Sequence, residues 1–314
     1  MQAVFLDTKT LGRGVDLDSL KALPLQWTFF DETKPQETAH RIAGAQIVVT
    51  NKVMLTKEIL EKSPDLKLVC IAATGYNNVD IPAAKARGIL ICNVPDYSTA
   101  SVVQLTIAFI FALMTNLYSY VQATKIGEWQ KSSQFCLLDY PITELEGKKL
   151  GVIGYGNLGK RVAHLMQQMG MQILIAQGRS EAPGRLPLQE VLAHSDVITI
   201  HTPLTKETHN LIQRKEFLLM KRSSVLINTA RGGIVNEKDL ADALREGLIA
   251  GAAVDVLSKE PPDADQPLLQ KDIPHLLLTP HVGWGSLESR KRLLEVIQSN
   301  IHSFLQGNPV NLIN

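Results

Sequence analysis

The chain carries almost no excess charge. Lys plus Arg number 32 and Asp plus Glu 31 among 314 residues, a formal net charge of +1. That balance argues against a nucleic-acid or anionic-membrane partner held mainly by charge. Cysteine is scarce too. Cys70, Cys92 and Cys136 make an odd set without framework spacing, which points to a reducing, cytoplasmic compartment. Cys70 and Cys92 lie in the apolar runs KLVCIAA and ILICNVP, where a thiol serves as a small hydrophobe. Long apolar runs are absent. The most apolar segment, LTIAFIFALM at 105–114, is well short of a bilayer span. The opening MQAVFLDTKT lacks the basic start of a secretory signal and soon turns polar. No repeat and no low-complexity tract interrupts the chain. His40, His164, His194, His209, His275 and His302 show no metal-ligand spacing with Cys or carboxylates, so no metal is expected.

What remains is core material in a regular pattern. Hydrophobic residues make up 45% and charged residues 20%, enough for a packed interior in one large unit or two domains. One set of expected strands is AVFLD (3–7), QIVVT (46–50), KLVCIAA (67–73) and ILICN (89–93). A second set is KLGVIG (149–154), MQILIA (171–176), DVITIH (196–201), SVLINT (224–229), AAVDVL (252–257) and HLLLTP (275–280). Apolar strands separated by helix-length segments indicate parallel sheets covered on both faces, a doubly wound α/β chain. Between the sets, 99–122 is apolar at helical spacing with Ser98 or Thr99 as N-cap, and a polar excursion runs over 123–147. From Ser286, SLESRKRLLEVIQSNIHSFLQG reads as one amphipathic helix stopped by Gly307 and Pro309, returning to the first domain. The expected division is 1–98 with 286–314, and 99–285. A cleft between the two is expected near 95–103 and 280–285.

Gly154-x-Gly156-x-x-Gly159 stands directly between a strand and a helix. The first glycine makes the sharp bend, the second lets backbone approach a pyrophosphate, and the third lets helix and strand pack closely. The helix start then presents unpaired N–H groups to the phosphates. With a second strand following, the context is that of a dinucleotide site. About 20 residues on, where an Asp or Glu ordinarily holds the ribose hydroxyls, stand Gln177, Gly178, Arg179 and Ser180. An acid there would repel a 2′-phosphate, whereas Gln177 does not, and Arg179 with Ser180 offers donors to it. NADP is therefore expected over NAD.

Downstream, Arg231 in NTARGGIVNEKDL, Glu260 in DVLSKEPP and His281 in LLLTPHVGWGS each follow an expected strand. Ligands of open α/β sheets bind beyond the carboxyl ends of strands, so the three can meet at one cleft. Taken singly, Arg231 also reads as a loop cap, Glu260 as a solvated acid and His281 as a helix-start residue.

Over nearly its whole length the sequence resembles the D-isomer-specific 2-hydroxyacid dehydrogenases. The blocks that carry this are ATGYNNVD (73–80), NVPDYSTASVVQLTIAFI (93–110), GVIGYGNLGKRVA (151–163), HTPLTKETHNLI (201–212), LINTARGGIVNEKDLADAL (226–244), DVLSKEPP (255–262) and TPHVGW (279–284). TNKV at 50–53, ATGYNNVD and the Trp after His281 bring it nearest the glycerate dehydrogenase (hydroxypyruvate reductase) branch. The resemblance implies a flavodoxin-like substrate domain, an NAD(P)-binding Rossmann domain, and a homodimer, with 123–147 the candidate contact. It implies that Arg231 binds the carboxylate and carbonyl oxygen of a 2-oxo acid and that His281 is the acid and base. Glu260 would pair with His281 and favour its protonated form. Asn157 and Leu158 join the glycines at the cofactor, Asp255 lies near the carboxamide, and His201, Thr202, Pro203, Thr208, Thr229, Ala230 and Gly283 line the cofactor path with Arg231 and His281. Thr74, Gly75 and Tyr76 would offer backbone N–H groups to the substrate carboxylate. Trp284 is either a core aromatic or, with Tyr76, the roof of a pocket suited to hydroxypyruvate or glyoxylate. Rival readings are a phosphoglycerate dehydrogenase, whose sequences often carry a further regulatory domain, a formate dehydrogenase, which needs no proton donor, and a nucleotide-sensing corepressor.

Overall fold

The computed structural model describes residues 1–178 and 182–314; Arg179 and Ser180, expected at the cofactor ribose, lie outside the described residues. The chain folds as two compact units, Met1–Ser98 with Gly285–Asn314, and Thr99–Trp284.

The first unit is built on five parallel strands, β1 (Gln2–Phe5), β2 (Gln26–Phe29), β3 (Ile47–Thr50), β4 (Leu68–Ile71) and β5 (Leu90–Cys92), in the order β2-β1-β3-β4-β5. Every residue of β3 and β4 is buried, which is why IVVT and LVCI read as unbroken apolar runs. One strand escaped the sequence reading. β2, QWTF, sits at the sheet edge with alternating exposed and half-buried residues, so no apolar run announces it. The helix Leu287–Leu305 begins at Ser286, whose hydroxyl accepts from the Ser289 N–H at 3.2 Å. It buries Leu293, Leu294, Ile297 and Ile301 and packs against β4. Its buried Asn300 donates to the Asn93 carbonyl at 2.9 Å, tying the helix to the chain beyond β5.

The second unit carries six parallel strands: β6 (Lys149–Ile153), β7 (Gln172–Ile175), β8 (Val197–Ile200), β9 (Val225–Asn228), β10 (Gly251–Val254) and β11 (Leu276–Leu278). Their order is β11-β10-β9-β8-β6-β7, so the winding direction reverses between β6 and β8. In open α/β sheets that reversal opens the crevice where ligands sit. Buried side chains cover both faces, with Phe109, Ile110, Val162 and Met166 in one cluster and Leu192, Phe217, Leu240 and Leu244 in the other. The segment read as one helix over 99–122 is two, Thr99–Met114 and Leu117–Lys125, bent by 65°. Asn116 makes the break in a left-handed conformation, φ 49°, and its side-chain amide donates to the Pro141 carbonyl at 2.6 Å. Apolar spacing alone gives no sign of such a break, because it does not encode the left-handed backbone of a single residue. No single helix among the described residues is long and apolar enough to cross a membrane.

Candidate active site

β6 ends at Ile153, and Gly154 turns the chain with φ 93°, a conformation that favours glycine. A Cβ there would also stand 2.6 Å from the His201 carbonyl carbon and the Thr202 nitrogen, so the turns after β6 and β8 touch at the switch point. A Cβ on Gly159 would overlap the Gly154 carbonyl oxygen, which fixes how closely the helix Asn157–Gln168 follows the strand. Gly156 differs. A Cβ there meets nothing within 4 Å, although Gly156 stands exposed beside the helix start. Two of the three glycines therefore answer to the fold, while the second keeps open the space that a pyrophosphate needs.

His201 lies against this turn. Burial pushes its imidazole down to about 4, so the ring is neutral at ordinary pH. Nε2 and the Thr199 hydroxyl are 3.0 Å apart, while Nδ1 is buried without a hydrogen-bond partner among the described residues. A buried, unpaired ring nitrogen is costly unless something else pairs with it.

Along the same edge, β9, β10 and β11 are neighbours, and Arg231, Glu260 and His281 lie in the loops that follow them. Two glycines hold these loops together. A Cβ on Gly232 would overlap the Leu257 carbonyl, so the Arg231 loop packs backbone to backbone on the loop leading to Glu260. A Cβ on Gly283 would stand 2.8 Å from Asp255 Oδ2, so the His281 loop packs on the end of β10. Glu260 and His281 meet directly, Oε2 to Nδ1 at 2.6 Å. The other carboxylate oxygen, Oε1, accepts from the Leu257 N–H at 2.8 Å, which anchors the acid independently of the imidazole. A carboxylate in its ionised form only accepts, so Nδ1 carries the hydrogen and Nε2 is the nitrogen left for proton transfer. His281 itself is left-handed, φ 52°, a conformation uncommon outside glycine and held here by its surroundings. Arg231 has its backbone turn braced by Asn228, whose side chain accepts from Ala230 N and donates to Arg231 O. Its guanidinium donates to the Ala230 carbonyl at 2.8 Å.

These features have a known counterpart. A family model for the D-isomer specific 2-hydroxyacid dehydrogenase NAD binding domain matches residues 107–283. The chain belongs to the D-isomer-specific 2-hydroxyacid dehydrogenases. It is 41% identical to glycerate dehydrogenase of Methylorubrum extorquens over 95% of this chain and 97% of that protein. It is 38% identical to hydroxypyruvate reductase of Blautia hydrogenotrophica over 100% of both. Its fold is similar to the crystal structure of D-lactate dehydrogenase from Aquifex aeolicus complexed with NAD and lactic acid, with a TM-score of 0.85, 28% identity and coverage of 98% and 96%. As a member of this family the protein is an NAD-dependent oxidoreductase acting on the CH–OH group of small 2-hydroxy acids.

The dehydrogenase's own residues fit a dinucleotide: an open glycine cradle, a helix start, and a neutral His201 whose Nδ1 waits for a partner. Several side chains expected at the cofactor are engaged locally. Asp255 Oδ1 accepts from the Thr279 hydroxyl at 2.5 Å and from the Val282 N–H at 2.9 Å, and Oδ2 accepts from the Gly283 N–H at 2.8 Å. The Thr208 hydroxyl donates to the Pro203 carbonyl at 2.7 Å and accepts from Thr205 N at 2.7 Å, closing its own turn. Buried Thr229 pairs with Thr106 at 2.9 Å. Ala230 is buried, Thr202 half-buried, and Asn157, Pro203, Gln177 and Gly178 are exposed. Thr74, Gly75 and Tyr76 belong to the first unit, in the loop after β4. The Thr74 hydroxyl donates to Val94 O at 2.9 Å, and Tyr76 is exposed. Trp284 closes the second unit, half-buried. Asn228 and Thr279, which the sequence reading passed over, brace the Arg231 and His281 loops. A polar residue at the end of a buried strand, as in LINT, is the signal that would have found the first. No group of three or more His, Cys, Asp or Glu among the described residues could hold a metal.

Proposed function

We propose that the protein is a reductase of small 2-oxo acids, hydroxypyruvate or glyoxylate, giving D-glycerate or glycolate. The 2.6 Å contact between His281 Nδ1 and Glu260 carries this reading, because it leaves one oriented nitrogen to move a proton at the substrate oxygen. A bound reduced nicotinamide supplies the hydride to the carbonyl carbon. Arg231 binds the carboxylate and polarises the carbonyl oxygen through its guanidinium fork. His281 Nε2 donates the proton that completes the hydroxyl and takes it back in the oxidative direction. Glu260 holds the ring and its tautomer throughout, and Asp255 keeps the His281 loop in its left-handed turn. Neutral Gln177 favours NADPH, with Arg179 and Ser180 as donors to its 2′-phosphate. The relatives' names, glycerate dehydrogenase and hydroxypyruvate reductase, support a small substrate over a branched or aromatic one.

The working form is proposed to be a cytoplasmic homodimer in contact through the excursion 123–147. Ile126, Trp129, Phe135 and Leu138 are exposed there, Phe135 to 90%, and large apolar side chains left open in one short stretch support a covering partner. A matrix of kcat/KM over hydroxypyruvate, glyoxylate, pyruvate and phenylpyruvate, each with NADH and NADPH, tests the assignment. Highest kcat/KM on hydroxypyruvate and glyoxylate supports it; a preference for phenylpyruvate rejects it. His281→Ala is expected to lose about 10²–10⁴ in kcat while cofactor affinity holds. Full turnover in that variant rejects the role given to His281.

A further inference from the structure

Just past β7 the sequence offers Arg179 as a cation to discriminate between cofactors. The fold supplies another. The end of β7 is paired by backbone with a later stretch of the chain: Gln177 N donates to Leu186 O at 2.8 Å, and Leu186 N donates to Ile175 O at 2.9 Å. Ala176 and Leu186 form an isolated parallel bridge. The residue delivered by this pairing is Arg185, half-buried, with Nη1 3.4 Å from where a Cβ on Gly178 would stand. The guanidinium therefore lies along the backbone of Gly178, one residue past the neutral Gln177. In a dinucleotide fold, this place at the end of the second strand is where the adenosine ribose hydroxyls are held. Resting on the reading of the site as a dinucleotide-dependent reductase, we propose that Arg185 is a specificity-determining residue that binds a phosphate monoester on the ribose 2′-oxygen. The guanidinium lies within ordinary contact distance of the Gly178 position, and Gln177 adds no opposing charge. A planar fork with several N–H donors suits a phosphate's oxygens and gains little from a ribose bearing only a hydroxyl.

The test titrates wild type, Arg185→Ala and Arg185→Lys with NADPH and with NADH, following nicotinamide fluorescence, and assays hydroxypyruvate turnover on the same preparations. Arg185→Ala is expected to weaken NADPH binding by about 10- to 100-fold, as for loss of a charge-assisted hydrogen bond, while NADH affinity is unchanged. Arg185→Lys is expected to lie between, keeping the charge without the fork. Equal weakening of both cofactors makes Arg185 a loop brace and overturns the proposal. So does an unchanged ratio of NADPH to NADH affinity, whichever cofactor wild type prefers. Absence of hydroxypyruvate turnover in wild type overturns the substrate reading instead, and the cofactor titration still decides Arg185.

Discussion

His201 shows what one buried ring does to a stability curve. Its folded pKa of about 4 lies below the ordinary 6.5, so the unfolded chain binds the proton more readily. The stability this contributes is complete above about pH 6.5 and is lost as pH falls toward 4, up to roughly 3 kcal/mol in all. Urea unfolding of wild type should weaken over that window, and His201→Gln should remove most of the slope; an unchanged slope would dismiss His201 as its source. A residue's chemical identity was legible in the sequence here, but its engagement was not. Asp255 is an example. The resemblance implies a place near the carboxamide, and the fold adds that its carboxylate receives Thr279, Val282 and Gly283 donors. Position in a motif says where a carboxylate belongs along the chain, whereas its partners depend on a loop that folds back 24 to 28 residues later.

At the scale of elements, glycines of one motif class part into those the fold needs and those a ligand needs. Gly232→Ala would drive a methyl into the Leu257 carbonyl, at a cost of roughly 1–3 kcal/mol or a displaced Arg231 loop. Its melting temperature and kcat should fall together. Gly156→Ala meets open space, so its melting temperature should match wild type while its Kd for the cofactor rises. Equal Tm losses in the two variants would contradict that division. Strands buried at every residue, such as β3, β4, β8 and β9, were readable as apolar runs because nothing polar interrupts them. β2 and the break at Asn116 were not. One is a half-exposed edge, and the other rests on a backbone angle that hydrophobic periodicity does not encode.

For the whole molecule, the exposed apolar side chains of 123–147 make a prediction about assembly. Size exclusion with light scattering should give a dimer for wild type, and Phe135→Glu with Leu138→Glu should shift it toward monomer. A monomeric wild type refutes the contact. The doubly wound class was legible from strand spacing, and the ordered motifs carried the family. The sheet orders required the fold itself, since β8 lies beside β6 rather than β7.

The return of the chain at Gly285 also sets an order of events during synthesis. The first unit is missing the helix Leu287–Leu305, with its buried Leu293, Ile297 and Ile301, until the chain beyond Gly285 leaves the ribosome. Every residue of Thr99–Trp284 has been made by then. The inserted unit can close its own sheet early, while the opening segment of the protein waits, its β4 surface uncovered, for a helix translated nearly two hundred residues later. A nascent chain stalled before Gly285 would thus display a folded dinucleotide module beside an unfinished neighbour in need of a chaperone.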